Sequence, residues 1–294
     1  MHIILGGTGH VGSALAKRLI DAGEPVTIVT HDPQKARQTG TARTTVPQGA
    51  KVALADVRDV VALRKVLQQG TRLFLLNPPA APATDTDAEE SLTAKSIVEA
   101  LDGTRLQKIV AESTYGAQPV DRAGDLGILY DLEKALETQP VPFSVIRAAY
   151  YMSNWDAALG TAQKEGVVDS MYPADFKLPM VAPQDLGEFA ARLMTQPAGK
   201  TGVYYVEGPE LYSAADVAAA FSDALGKPVS VRVTPRDKWE EGYQAIGFSP
   251  AAARSYAAMT AITLDKHYTV PDAPVRGHTT LRAHVQALAG RKDA

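Results

Sequence analysis

Cysteine is absent from this chain of 294 residues, which excludes disulfides, thiolate catalysis and cysteine-ligated metal. Its six histidines show no ligand spacing, so no metal site is expected. No GxSxG elbow is present, so a serine hydrolase is excluded. No apolar run is long enough to span a bilayer, and the opening strand lacks the charged leader and cleavage site of a signal peptide. The expected location is cytoplasmic. Neither sign of charge dominates: 30 Lys and Arg against 33 Asp and Glu leave a net charge of −3, with acids and bases interspersed. Nothing there forms a basic footprint for nucleic acid or a polybasic membrane anchor. The expected partner is a small-molecule substrate, and composition does not set the oligomeric state.

What is present is 45% apolar content, enough to bury one large core plus an appended lobe. The most informative segment is GGTGHVG, Gly6 to Gly12, which follows the apolar run Met1 to Leu5 and opens the amphipathic stretch Ser13 to Ile20. Strand, tight turn and helix in that order hold a dinucleotide pyrophosphate. Gly6 and Gly9 let the chain turn and bring backbone amides to the phosphates, and Gly12 lets the helix pack against its strand. The helix amino terminus, around Thr8, His10 and Val11, then offers unpaired donors and a positive dipole end to the anion.

Short apolar runs at His2 to Leu5, Val26 to Thr30, Lys51 to Leu54, Leu73 to Asn77, Lys108 to Glu112 and Phe143 to Arg147 alternate with helix-period segments. This predicts an α/β fold with a Rossmann-type, doubly wound parallel sheet. Ligands of such sheets lie beyond the carboxyl ends of the strands, so the site candidates are Gly6 to Gly12, His31, Asp56, Asn77 to Pro79, Ser113 to Tyr115 and Ala148 to Asn154. Residues 1–148 are expected to form the dinucleotide-binding domain. Residues 149–294, punctuated by prolines, form a smaller mixed substrate lobe with returns to the main sheet. Helices are predicted at Pro183 to Thr195, Ser213 to Leu225, Arg236 to Ile246, Pro250 to Ile262 and His278 to Ala289. The loop Asn77 to Glu90 reads as a crossover whose acids cap a helix. Thr114 to Gly127 reads as a loose polar loop placed to cover a nicotinamide.

The cofactor is chosen at the end of the second strand. Thr30 and His31 form the tip, Asp32 comes one place late, and Lys35 and Arg37 follow within reach of a phosphate. Charge complementarity favours NADP(H) over NAD(H). Asp56 is placed to accept from the adenine amino group or to serve as a turn acid; Asn77, Pro78 and Ser113 complete the cofactor set.

The chain resembles the NmrA-like family of atypical short-chain dehydrogenases. The likeness rests on GGTGHVG, on HDPQKA ending at Ala36, on ADVRD around Asp56, on the stretch Glu133 to Asn154 and on APQDLG around Asp185. It implies NAD(P) binding and a fold shared by quinone reductases, triphenylmethane-dye reductases and catalytically silent sensors. His31 replaces the family's common arginine, and Gly7 stands where alanine is frequent, a change expected to cost little. Tyr130 and Lys134 form the YxxxK string of the wider superfamily, whose tyrosine donates a proton and whose lysine lowers the phenol pKa. In the register set by Glu133 and Arg147, however, those two positions fall on Asp125 and Leu129. Tyr115, Tyr150 and Tyr151 are then the phenols that topology places best, with Tyr130 as the alternative. Tyr115, Tyr151, Asn154, Trp155 and Trp239 are the expected substrate contacts, and Arg147 is expected to order the backbone near the cofactor. Tyr243, Phe248 and Tyr256 add aromatic surface suited to a conjugated electrophile. The leading expectation is an NADPH-dependent reductase of a small conjugated, quinone-like or carbonyl compound. A non-catalytic NADP(H) sensor is the alternative, and an isomerase or dehydratase with tightly held NAD is a third.

Overall fold

Strand-period and helix-period segments alternate because a parallel strand needs a helical crossover before its neighbour. The computed structural model of the chain describes residues 1–34 and 46–290. It begins β1 (His2–Leu5), α1 (His10–Asp21), β2 (Val26–Thr30), β3 (Lys51–Leu54), α2 (Val60–Leu67), β4 (Arg72–Leu75), α3 (Thr86–Ala100), β5 (Lys108–Thr114), α4 (Asp125–Glu137) and β6 (Phe143–Ala148). It continues β7 (Tyr150–Tyr151), a 3-10 turn at Met152–Ala158, α5 (Leu159–Glu165), β8 (Val167–Ser170), β9 (Leu178–Val181), α6 (Pro183–Thr195) and β10 (Gly202–Glu207). Last come β11 (Leu211–Tyr212), α7 (Ala214–Leu225), β12 (Ser230–Val233), a 3-10 turn at Arg236–Lys238, α8 (Trp239–Ala245), α9 (Pro250–Leu264), β13 (Val275–Arg276) and α10 (Leu281–Ala289).

Eight strands form one parallel sheet in the order β3-β2-β1-β4-β5-β6-β10-β13. The order reverses between β1 and β4, which opens a crevice beyond their carboxyl ends. β1 and β2 are buried at every position, as expected of strands covered on both faces. Successive side chains divide between two cores. Ile4, Ile28, Phe74, Val110 and Ile146 pack against α1 and α6, whereas Ile3, Leu5, Leu73, Ile109 and Ala111 pack against α2, α3 and α4. A third core fills the later lobe around Met152, Trp155, Val168, Val217, Phe221 and Val285. That lobe carries a three-stranded sheet, β11-β9-β7, and the pair β12-β8.

Several predicted ends shift for identifiable reasons. β5 and β6 run on to Thr114 and Ala148 because Ser113 and Thr114 pair with Arg147 and Ala148. β4 stops at Leu75, and the Asn77 side-chain amide donates to the Glu90 carbonyl at 3.2 Å. α6 starts at Pro183, whose fixed φ suits a first helical residue. α7 begins after a capping box between Ser213 and Asp216. α10 starts at Leu281 rather than His278, since the His278 and Thr279 amides donate to Asp185 Oδ2, both at 2.9 Å. Among the described residues no helix is long and apolar enough to cross a membrane.

Candidate functional site

At the end of β1 the backbone of Gly6 is left-handed, with φ +66°, a conformation glycine adopts at no steric cost. A Cβ on Gly12 would lie 2.3 Å from the Gly6 carbonyl oxygen and 2.7 Å from Gly7 Cα, so only glycine lets α1 come this close to its strand. Gly9 caps α1 without a side-chain hydrogen bond. Gly9 is exposed, Thr8 and His10 are half-buried, and Val11 is held in the core. The first-turn amides of α1 therefore have no side-chain cap, and this cradle fits a pyrophosphate. A methyl group on Gly7 would sit 2.6 Å from Ile28 Cγ2, so in this chain the buried Ile28 fills the space an alanine would need.

His31 is exposed at the end of β2. Asp32 accepts from the Gln34 amide at 2.8 Å and its own amide donates to Thr30 Oγ1 at 3.2 Å, so the acid forms a local turn. Lys35 and Arg37 lie outside the described residues. Asp56 is exposed and accepts from the Arg58 amide at 2.9 Å in the turn after β3.

Further along the same edge, polar side chains bind the strand ends together. Ser113 donates to Glu133, and Arg147 donates to the same carboxylate through Nε at 3.0 Å and Nη2 at 2.7 Å, while its Nη1 donates to the Tyr205 hydroxyl at 2.8 Å. The pair is 15% and 8% exposed on its side chains. It links β5, α4, β6 and β10. Ser113, expected at the cofactor, gives its hydroxyl to this network. Tyr115 donates to Glu207 at 2.9 Å, and Arg276 pairs with the other Glu207 oxygen at 2.6 Å, which ties β5 to β10 and β13. Burial and the Glu207 charge push the Tyr115 phenol far above its ordinary range.

The tyrosines after β6 diverge. Tyr151 donates to Glu112, a carboxyl that burial pushes up to about 7 and whose Oε2 accepts no hydrogen bond among the described residues. Tyr150 is half-buried and meets Tyr172 edge to face at 6.3 Å between centroids, and Asn154 is exposed. The two tryptophans are corrected as substrate contacts. Trp155 is 6% exposed in the core of the lobe. Trp239 is 3% exposed, donates to the Thr234 carbonyl at 3.1 Å and is capped by Arg236 at 5.4 Å. Their size suits the lobe's packing better than its surface. Lys134 is exposed, paired with Glu137 at 2.7 Å, and its ammonium lies 5.4 Å from the centre of the Tyr130 ring. YxxxK here is a surface cation–aromatic contact.

The loop from Thr114 to Gly127 is pinned rather than loose. Arg122 pairs with Asp85 at 2.7 Å, the Gln118 side chain donates to the His267 carbonyl at 2.9 Å, and the Gly124 amide donates to Ser255 at 2.7 Å. Ser255 in turn donates to Asp87 at 2.6 Å. The loops after β4 and β5 are thus fastened to α9. Asp85 does cap α3, accepting from the Ala88 amide at 3.3 Å, but the other acids of this segment do more than cap. Glu90 is 3% exposed and accepts from the Ala80 amide at 2.8 Å. Burial and the charges of Asp125 and Asp87 push Glu90 up to about 7, and burial together with Asp87 raises Asp125. The sequence carried one signal for Glu90: it shares the buried stripe of α3 with Thr86, Thr93, Ala94 and Ile97, a spacing that turns it inward.

The model of the NmrA-like family matches residues 2–262. The chain belongs to the NmrA-like family. A (4-alkanoyl-5-oxo-2,5-dihydrofuran-3-yl)methyl phosphate reductase of Streptomyces griseus is 28% identical over 78% of this chain and 75% of its own length. The NAD(P)H azoreductase of Xenophilus azovorans is 23% identical over 86% of this chain and 84% of its own. In three dimensions this NmrA-like chain is similar to the Citrobacter sp. triphenylmethane reductase complexed with NADP(H), with TM-score 0.76, 16% identity and coverage of 98% and 99% of the two chains. It is also similar to the NADPH-dependent quinone oxidoreductase QOR2 of Escherichia coli, with TM-score 0.75, 21% identity and the same coverage.

Proposed function

We propose that this NAD(P)H-dependent oxidoreductase prefers NADPH and reduces a small conjugated electrophile of the quinone, azo, dye or enone type. The observation that carries the proposal is the side-chain-free cap of α1 above the Gly6–Gly12 close approach, beside the tyrosine-rich ends of β5 and β6. The amides of the α1 first turn would bind the pyrophosphate. When bound, the reduced nicotinamide supplies a hydride. The tip at Thr30 and His31, with Asp32 folded into its own turn and Lys35 and Arg37 following in sequence, supports recognition of a 2′-phosphate. The named activities of the azo, quinone and dye reductases support the acceptor class.

The protein's own residues would position the acceptor and keep water out. Tyr150, Tyr243 and Tyr256 supply flat apolar surface, and Tyr243 and Tyr256 pack edge to face at 5.8 Å. Burial, and after it Glu207 and Glu112, raises the pKa of the Tyr115 and Tyr151 phenols, so they order the wall in this proposal and do not give up protons. Tyr130 has no part in it. The test is a fluorescence titration with NADPH and NADH followed by a panel of quinones, azo dyes, triphenylmethane dyes and enones. NADPH bound more tightly than NADH, together with turnover, is expected. Tight binding without oxidation of NADPH by any acceptor would assign the chain to the sensors instead.

A further inference from the structure

Arg276 ends β13, the outermost strand of the main sheet, and its guanidinium is anchored at one nitrogen only. Nη1 pairs with Glu207 Oε1 at 2.6 Å and donates to the Gly208 carbonyl at 3.3 Å. Nε and Nη2 have no partner among the described residues, and the side chain is half exposed. Those two nitrogens form the planar edge with which arginine grips an oxyanion through two parallel hydrogen bonds. Arg147 and Arg232 show that use in this chain: each closes Nε and Nη2 on a single carboxylate, Glu133 and Asp169 respectively. In Arg276 the same edge is open.

The backbone that presents this edge is fixed. The Gly277 amide donates to the Glu207 carbonyl at 2.6 Å, and a Cβ on Gly277 would lie 2.3 Å from Asp185 Oδ2, so only glycine lets the chain pass that carboxylate. Asp185 in turn accepts from the His278 and Thr279 amides and from the Thr279 hydroxyl. The two buried acids flanking the turn are therefore both occupied, Glu207 by Tyr115 and Arg276, and Asp185 by the segment leading into α10. A guanidinium held at one nitrogen, on a backbone held on both sides, gives up little freedom when its open edge binds.

The sheet separates this edge from the pyrophosphate cradle. β13 lies five places from β1, about 24 Å at the usual strand spacing, so Arg276 and the Gly6–Gly12 turn cannot share a phosphate. Arg276 stands instead at the carboxyl end of the sheet, where ligands of such folds bind, and one carboxylate joins it to the end of β5: Tyr115 donates to Glu207 Oε2 at 2.9 Å while Arg276 holds Oε1. The Tyr115 amide donates to the Ala148 carbonyl at 2.9 Å, at the end of β6. We infer, resting on the reductase reading above, that Arg276 is a specificity-determining residue that binds a carboxylate, sulfonate or phosphate carried by the acceptor, whose conjugated part lies over the ends of β5 and β6. The substrate class narrows to a conjugated electrophile with an acidic arm.

The experiment gives the full chain NADPH and two matched acceptors, an azo dye bearing a benzoate carboxylate and the methyl ester of the same dye. The wild type should favour the carboxylate dye, with the difference residing in KM and shrinking as salt is raised. Arg276→Lys keeps a positive charge beside Glu207 and loses the fork. It should lower kcat/KM for the carboxylate dye about tenfold or more, and leave the ester and the NADPH affinity within about twofold. Arg276→Met should lose more of the same preference; if it does not fold, the lysine variant decides. Independently of turnover, equilibrium dialysis of the carboxylate dye against the protein saturated with NADP+ should show a matching loss of affinity in Arg276→Lys. Equal losses on both dyes, a wild type that prefers the ester, or an unchanged preference in Arg276→Lys would overturn the inference while leaving the reductase assignment intact. If neither dye oxidises NADPH, the reductase assignment itself loses support, and the dialysis still decides whether Arg276 holds the anion.

Discussion

Gly9→Asp should separate stability from cofactor binding. The Gly9 backbone, φ −86° and ψ 179°, suits any L residue at a helix cap, and a Cβ there would meet only the Gly6 carbonyl oxygen, at 3.2 Å. The new carboxylate can accept from the first-turn amides of α1 and lies at the positive end of the helix. Against glycine the cap contributes a few tenths of a kcal/mol and the dipole about 0.3–1. A gain near 1 kcal/mol should raise Tm by about 2 °C. The same carboxylate, about 4 Å from a pyrophosphate charge at an effective dielectric of about 20, is repelled by roughly 4 kcal/mol. NADPH affinity should then fall about a thousandfold. Gly9→Asn, which caps without charge, should lose less. Differential scanning fluorimetry and a fluorescence titration measure both quantities on one preparation. A variant that melts lower than wild type, or binds NADPH within tenfold of it, would refute the reasoning.

Other predictions follow from the polar interior. Burial raises Glu112 from 4.5 to about 7, so the folded protein holds this proton more tightly than the unfolded chain does. Its contribution is fully present below about pH 4.5 and is lost as pH rises through about 7, a change of about 3 kcal/mol. Glu112→Gln should therefore stabilise the protein at pH 8 and flatten the pH dependence of urea unfolding; equal slopes in both proteins would count against it. Arg147→Met should destabilise by about 3–5 kcal/mol in urea, because it strands the buried Glu133 carboxylate, and adding Glu133→Gln should recover part of that loss. Tyr130→Phe and Lys134→Ala should each leave kcat/KM within about threefold, since the two side chains meet at the surface; a loss of several hundredfold in steady-state assays would reinstate the dyad.

The sheet was legible because its evidence is local. β1, β2 and β3 fall on the predicted residues, and α6 does so from its proline onward. Strands buried on both faces read as unbroken apolar runs, and caps announce helix starts within a few residues. The glycine cradle was legible for the same reason. The polar half of the candidate site was not. Tyr115 and Glu207 are 92 residues apart, and Ser255 and Asp87 are 168 apart. A buried acid is distinguished from a capping acid only by such distant partners. Asp87 and Glu90 therefore looked like ordinary first-turn acids, and the tryptophans looked available when they were already packed.

Seryl and aspartyl contacts between α9 and the loops after β4 and β5 also impose an order on synthesis. The ribosome releases the chain from residue 1 onward, so the cradle at Gly6–Gly12 and the strands through β6 emerge well before Ser255, and the edge strand at Val275–Arg276 emerges later still. A nascent chain can thus assemble the strands through β6 while the loops after β4 and β5 still lack their clamp. During that interval Asp87 and the Gly124 amide have no Ser255 to meet. The clamp on the loops after β4 and β5 thus forms only after Ser255 has been made, later than every strand through β6.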